Sequence, residues 1–139
     1  MQGRIVTRDL LESGYSVFAA DLYKTKIAKI LARFNNDRAV FSFVDLRDVE
    51  MTIKVIVKSG VDVVINCADM DWNANVYKAC IETRTHCVDL GAWVEMTEEQ
   101  IAMDPLFKKL KRTAITGCGS VPGIGNVMLR WAAKKFDRL

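Results

Sequence analysis

The chain has 139 residues, half of them hydrophobic and 27% charged, with a formal net charge of +3. That balance fits one ordinary globular domain with a sizeable core and excludes a disordered chain. The charge is too small to argue for nucleic acid, and no apolar run approaches the roughly 20 residues needed to span a bilayer.

From Gly3 to Ser13 the apolar positions Ile5, Val6, Leu10 and Leu11 recur at helical spacing, and Gly14 ends the pattern. "SVFAAD" (16–21) is a short apolar strand closed by an acid, Asp21. "KTKIAKILARFNN" (24–36) is helical, with Ile27, Ile30, Leu31 and Phe34 on one face. "AVFSFVD" (39–45) is a strand that again ends in an acid, Asp45. "VEMTIKVIVKSG" (49–60) is a helix stopped at Gly60. "VDVVINCA" (61–68) is continuous, β-branched and apolar on both faces, as in parallel strands covered by helices on both sides. "NANVYKACIETR" (73–84) is helical and "HCVDLG" (86–91) a strand. "TEEQIAMDPLFKKLKR" (97–112) follows, opened by Thr97 with Gln100 three residues on, a capping-box spacing, and divided at Pro105. "TAITGCG" (113–119) is the last strand. "PGIGNVMLRWAAKKF" (122–136) is the last helix, with Pro122 near its first turn.

Six helical and five strand patterns therefore alternate, with short loops and no repeat. This is an α/β chain with an open parallel sheet and right-handed crossovers. In such sheets ligands lie beyond the carboxyl ends of the strands, so those ends carry the candidate chemistry. Asp21 follows Gly3 by about eighteen residues, close to the spacing between a Rossmann glycine motif and its ribose-binding acid. A carboxylate there accepts from the ribose hydroxyls and repels a 2′-phosphate, which favours NAD over NADP; the alternative is a solvated acid after a strand. Gly3 is either the glycine that lets helix and strand pack closely or part of a flexible terminus. Asp45 either faces the adenine side or caps the next helix. Asn66, Cys67 and Ala68 are small enough for a cofactor to approach.

Cys67 has no basic partner nearby in sequence, so a nucleophilic role is disfavoured. His86, the one histidine, suits a structural role. The cysteines Cys67, Cys80, Cys87 and Cys118 form no C-x-x-C pair and match no zinc spacing, so no metal is expected. They read as reduced thiols of a cytoplasmic protein, and the charged N-terminus does not read as a secretory signal. "GCGSVPGIGN" is a second glycine-rich stretch. It is either a second dinucleotide fingerprint or, with about sixteen residues left, a turn carrying the backbone past the cofactor's reactive end. "KKLKR" is the solvated C-terminal end of a helix.

Together these segments resemble the saccharopine dehydrogenase-like family, which includes lysine and carboxynorspermidine dehydrogenases. The resemblance is carried by "HCVDLG", "MTEEQ" and "GCGSVPGIGNVM", the last similar to a G-x-G-x-x-PG-x-x-N junction. "DVVINCA" with "NVYKACIE", and "SVFAADLY", resemble the family's fourth and second strands. The resemblance implies an N-terminal Rossmann cofactor domain, then a substrate and dimerisation domain. It also implies hydride transfer between a nicotinamide cofactor and a carbon bearing an amine or imine, in amino-acid or polyamine metabolism. It places Gly3 as the last fingerprint glycine and Asp21 as the ribose acid. Asp45 and Leu46 fall on the adenine side, and Asn66, Cys67 and Ala68 at the cofactor-facing strand end. Gly119, Pro122, Gly123 and Asn126 fall at the junction facing nicotinamide and substrate. No catalytic acid or base is identified.

Two departures accompany it. The first strand with its two fingerprint glycines is absent, and so is the second domain. Residues 1–139 are thus expected to be a partial dinucleotide-binding domain, a doubly wound parallel sheet lacking its central first strand. Such a chain would bind NAD weakly and turn nothing over by itself; the full enzyme would be a homodimer acting on a small amino-acid-type substrate, with no nucleic-acid or membrane partner. The alternative is a non-catalytic nucleotide-sensing or partner-binding module whose missing strand another polypeptide supplies.

Overall fold

A computed structural model describes residues 2–34, 37–91 and 93–136. The first element, α1 (Gln2–Glu12), buries Thr7 and Leu11. Gly14 turns it off at φ +91°, and the Tyr15 amide returns to the Leu10 carbonyl at 3.0 Å. The strand β1 (Val17–Asp21) follows, then a 3-10 turn (Lys24–Lys26) and α2 (Ala28–Arg33). The segment 24–36 thus forms a short turn and a short helix instead of one long helix. Asn35 and Asn36 lie outside the described residues.

Next come β2 (Ala39–Phe43) and α3 (Val49–Ser59). Asp48 caps α3 by accepting from the Met51 amide, and Gly60 ends it in the left-handed region at φ +61°. Asp45 is therefore not the cap. The strand β3 (Val63–Asn66) leads through a 3-10 turn (Met70–Trp72) into α4 (Asn73–Thr83) and β4 (His86–Asp89). Then come α5 (Val94–Ala102), α6 (Asp104–Lys109), a two-residue β5 (Ala114–Ile115) and α7 (Ile124–Ala133).

Pro105 divides α5 from α6 as its missing amide requires. The capping box does not form. The helix starts at Val94, three residues before Thr97, and the Gln100 side chain turns inward to a buried carboxylate instead. Pro122 lies just ahead of the Gly123 cap of α7, next to its first turn.

All strand pairings are parallel, in two separate sheets: β1 with β2, and β3 with β4 and β5. Among the described residues no strand joins β1 to β3. This is the division expected where the central strand of a 3-2-1-4-5-6 order is missing. The main core lies on one face of the three-stranded sheet, where Val64, Cys87 and Ala114 pack with Ile56, Val76, Tyr77 and Phe107. The Tyr77 and Phe107 rings meet edge-to-face at 5.6 Å. The opposite face is open. Val63 is 45% and Ile115 48% exposed there, beside a cavity of about 340 Å³. Helix α7 also stands clear of the core, with Ile124, Val127, Met128, Leu129 and Trp131 each at least 60% exposed. The apolar pattern of 61–68 thus announces two buried faces, and the described residues cover one.

His86 has the structural place its sequence position suggests: its Nδ1 accepts from the Thr113 amide at 3.0 Å, tying β4 to the start of β5. All four cysteines are free. Cys80 and Cys87 are fully buried, and their mutual hydrogen bond, with burial, holds the Cys87 thiol protonated well above its usual range.

Candidate functional site: a glycine-floored edge at the strand ends

The carboxyl ends of the strands form one edge, and at Gly91, Gly119 and Gly123 the chain runs so tightly along it that only glycine fits. Gly3, at the start of α1, meets the end of β3: a side-chain carbon added there would lie 3.5 Å from Cys67 Cβ. Gly119 lies against the Leu90 carbonyl, and an added carbon would come to 2.1 Å from that oxygen. Gly123 folds back on Gly119 at φ +124°, where an added carbon would stand 2.2 Å from the Gly119 carbonyl oxygen. Gly91 presses on Met70, whose Cβ would lie 2.6 Å from a carbon added at the glycine. At Gly91, Gly119 and Gly123 the space a side chain would take is filled by the chain's own backbone and by Met70.

At the end of β3, Asn66 is buried and its Oδ1 accepts from the Ala68 amide at 3.1 Å. Its Nδ2 donates to Asn73 Oδ1 at 2.6 Å. Ala68 is exposed. Burial pushes the Cys67 thiol up to about 11, so at neutral pH it is a protonated, poor nucleophile.

The junction 117–126 is pinned from below by a carboxylate. Asp89 ends β4 with no exposed surface. Its Oδ2 accepts from Tyr77 Oη and Gln100 Nε2, both at 2.7 Å, and its Oδ1 from the Gly117 amide at 3.0 Å. The Cys118 amide donates to the Asp89 carbonyl at 2.8 Å, and Thr116 Oγ1 donates to Gln100 Oε1 at 3.1 Å. Burial, and then the bond to Asp89, hold the Tyr77 phenol protonated far above its ordinary range. Beyond this anchor, the Gly123 amide donates to Asn126 Oδ1 at 3.1 Å, closing the turn that starts α7. The Val121–Pro122 peptide bond is cis.

At the other sheet, Asp21 ends β1 half-buried, with Oδ1 accepting from the Tyr23 amide at 2.9 Å. Asp45 is engaged locally: Arg47 contacts it through its backbone amide at 3.0 Å and through its guanidinium. The Arg47 side chain, then its backbone amide, holds the Asp45 carboxyl below the usual range. Leu46 packs its side chain against the core and gives its carbonyl to Asn75 Nδ2 at 2.9 Å. The structure therefore brings Gly3 to Cys67, and Gly119 to Gly123 and Asn126, while Asp45 and Leu46 are occupied by their own neighbours.

Asp89, Tyr77, Gln100, Asn73 and Gly91 belong to this edge or its support, and sequence reasoning did not select them. One signal was present: Asp89 closes an apolar strand just as Asp21 and Asp45 do. A cavity of about 700 Å³ lies between α1 and α2, lined by Arg4, Arg8, Lys29 and Arg33 around Ile5 and Ile30, and includes none of the edge residues. Among the described residues no group of three or more His, Cys, Asp or Glu is placed to hold a metal, and no helix is long and apolar enough to cross a membrane.

Comparison with a solved structure and with protein families agrees with this geometry. The fold is similar to that of the apo, histidine-tagged saccharopine dehydrogenase (L-Glu forming) from Saccharomyces cerevisiae, with a TM-score of 0.75 and 20% identity. The similarity covers 96% of this chain and 28% of that one, so the chain spans under a third of its length. Residues 1–115 match the saccharopine dehydrogenase NADP binding domain family, a span that includes α1, the paired strands β1 and β2, and the edge from Asn66 to Gly91. With residues 1–115 of its 139 matched in this way, the chain belongs to the saccharopine dehydrogenase NADP-binding domain family.

Proposed function

We propose that this chain is the cofactor-binding part of an oxidoreductase that moves hydride between a nicotinamide dinucleotide and a carbon bearing an amine or imine, in an amino acid or polyamine precursor. The observation that carries the reading is the meeting of Gly3 with Cys67 at the strand ends, with Asp21 closing β1 in register. The nicotinamide, when bound, supplies the hydride chemistry; the residues here bind and orient it. The N-terminus of α1 favours a diphosphate. Asp21 keeps Oδ2 open for a ribose hydroxyl while Oδ1 holds Tyr23. Asp21 supports NAD, whereas the family's description names NADP, so both cofactors belong in the test. A small amino-acid-type substrate, a homodimeric full enzyme and a cytoplasmic setting complete the proposal.

The test is a fluorescence titration of the chain with NADH and with NADPH, repeated with Asp21→Asn. Weak binding of NADH, lost or reversed toward NADPH in the variant, supports the reading. An affinity for NADPH that exceeds that for NADH and ignores the substitution removes Asp21 from the site. No binding of either cofactor refutes the cofactor reading.

The divided sheet favours a second reading, a partner-binding module. An extended strand from another polypeptide, parallel to β1 and β3, would satisfy both inner edges. A defined complex that contributes such a strand supports it.

A further inference from the structure

The hydrogen-bonded relay at the end of β3 has one loose end. The Ala68 amide fixes Asn66 Oδ1, which turns Asn66 Nδ2 toward Asn73. Asn73 Oδ1 accepts from it, so the Asn73 amide is oriented in turn, with its own Nδ2 directed away from Asn66. That nitrogen is buried and has no hydrogen-bond partner, in a residue 1% exposed. Buried polar groups are nearly always paired, so a single orphan asks for an acceptor.

Its position says where the acceptor comes from. Asn73 is the first residue of α4, and its Nδ2 stands 3.7 Å from the point a Gly91 side-chain carbon would take. Asn66 ends β3 and Gly91 follows the end of β4, so the donor lies between the carboxyl ends of two paired strands. The end of β3 is also where Gly3 arrives; β4 is one strand further along the edge.

We infer that Asn73, oriented by Asn66, donates to an acceptor oxygen on the nicotinamide-bearing half of the dinucleotide, beyond its diphosphate. This rests on the cofactor reading above. With Asp21 at the adenosine ribose and Gly3 at the diphosphate, the next stretch of edge falls to the second ribose or the carboxamide. Both present a hydroxyl or carbonyl oxygen. The donor is buried beside Gly91 and the Met70 backbone, so a ligand oxygen reaches it by a shift of the Met70–Trp72 turn that precedes α4.

The test follows the side-chain amide of Asn73 in the 15N-labelled chain during titration with NADH, NADPH and ADP, which lacks the whole nicotinamide half. The expected result is a dinucleotide-dependent shift of the Asn73 side-chain amide that ADP does not produce, while the Gly3 and Cys67 backbone amides shift with all ligands that bind. ADP-ribose then separates the ribose from the carboxamide as the source of the oxygen. An Asn73 amide that stays still while Gly3 and Cys67 shift overturns the inference and spares the cofactor reading. A shift equal with ADP overturns it as well. A chain in which no amide responds to any ligand overturns the cofactor reading, and this inference with it.

Discussion

Asp89→Ala is the substitution with the largest consequence. The carboxylate is fully buried and accepts from Tyr77 Oη, Gln100 Nε2 and the Gly117 amide. Alanine removes all three acceptor contacts at once and offers no replacement. Each buried donor left without a partner costs about 1–3 kcal/mol, so three together set a loss of at least about 3 kcal/mol. Whole domains are stable by only about 5–15 kcal/mol, so Asp89→Ala should remove a large share of the chain's stability. Asp89→Asn keeps one oxygen and places an NH2 against one donor set, for a loss of about 1–3 kcal/mol. Tyr77→Phe removes a single charge-assisted bond and leaves Gln100 and Gly117 in place, for about 1.5–3 kcal/mol. Urea unfolding followed by circular dichroism reads the series as a midpoint shift at constant slope. The graded variants keep the test meaningful if the alanine variant does not fold. An Asp89→Ala chain within about 1 kcal/mol of the parent would refute the view that this carboxylate pins the 117–126 junction.

Glycine positions on the edge and away from it separate crowding from backbone conformation. Gly119→Ala forces a carbon against the Leu90 carbonyl and should disorder the junction, seen as shifted amide resonances from Gly117 to Asn126, whereas Gly60→Ala meets open space at φ +61° and should cost only about 1–2 kcal/mol in urea unfolding. In parallel ladders alternate residues point their amides to opposite sides, and Val17 donates to Arg38 on the β2 side. The amides of Phe18, Ala20, Val63 and Ile65 therefore face the divide and should exchange with deuterium far faster than those of Ala19 and Val64; equal protection would mean that the divide is closed in solution. Alkylation should reach exposed Cys118 first at pH 8 and Cys67 only as pH approaches 11, because burial keeps the Cys67 thiol protonated. In the unfolded chain that thiol ionises near 9.0, so its contribution to stability is complete below pH 9 and is lost as pH rises toward 11, measurable as a falling urea midpoint that Cys67→Ala flattens.

Local pattern recovered most of the elements because each obeys its own chemistry. Gly60 ends α3, Pro105 divides α5 from α6, and the β-branched run 61–68 is a strand. It failed where tertiary contacts outbid local signals. Thr97 and Gln100 have capping-box spacing, but Gln100 gains more from the buried Asp89 carboxylate, and the helix begins earlier. Asp45 sits where an acid caps a helix, yet Asp48 takes that place and Asp45 clamps Arg47. At the junction, the need for Gly119 and Gly123 was legible because a tight backbone needs glycine there. Asn73 and Asp89 were not, because a buried side chain's role depends on partners eleven or more residues away, or on a strand end facing it, and sequence spacing carries neither.

The divided sheet bears on the candidate site directly. Asp21 and the Asn66–Ala68 strand end belong to different sheets, and a dinucleotide bound as proposed would span both. In the described chain α1 bridges them: its first turn lies on Cys67, and it continues through Gly14 into β1. Affinity depends on how well such groups are held in place before the ligand arrives, and one helix terminus holds them less firmly than a paired strand. A strand filling the divide would fix the spacing between Asp21 and Asn66 and add backbone donors at the diphosphate. By linkage, whatever tightens the cofactor in this way is itself tightened by the cofactor. The dinucleotide reading and the strand-accepting reading therefore describe two halves of one equilibrium: the sheet's unpaired edges and the ligand's unmet contacts lie along the same line of the fold.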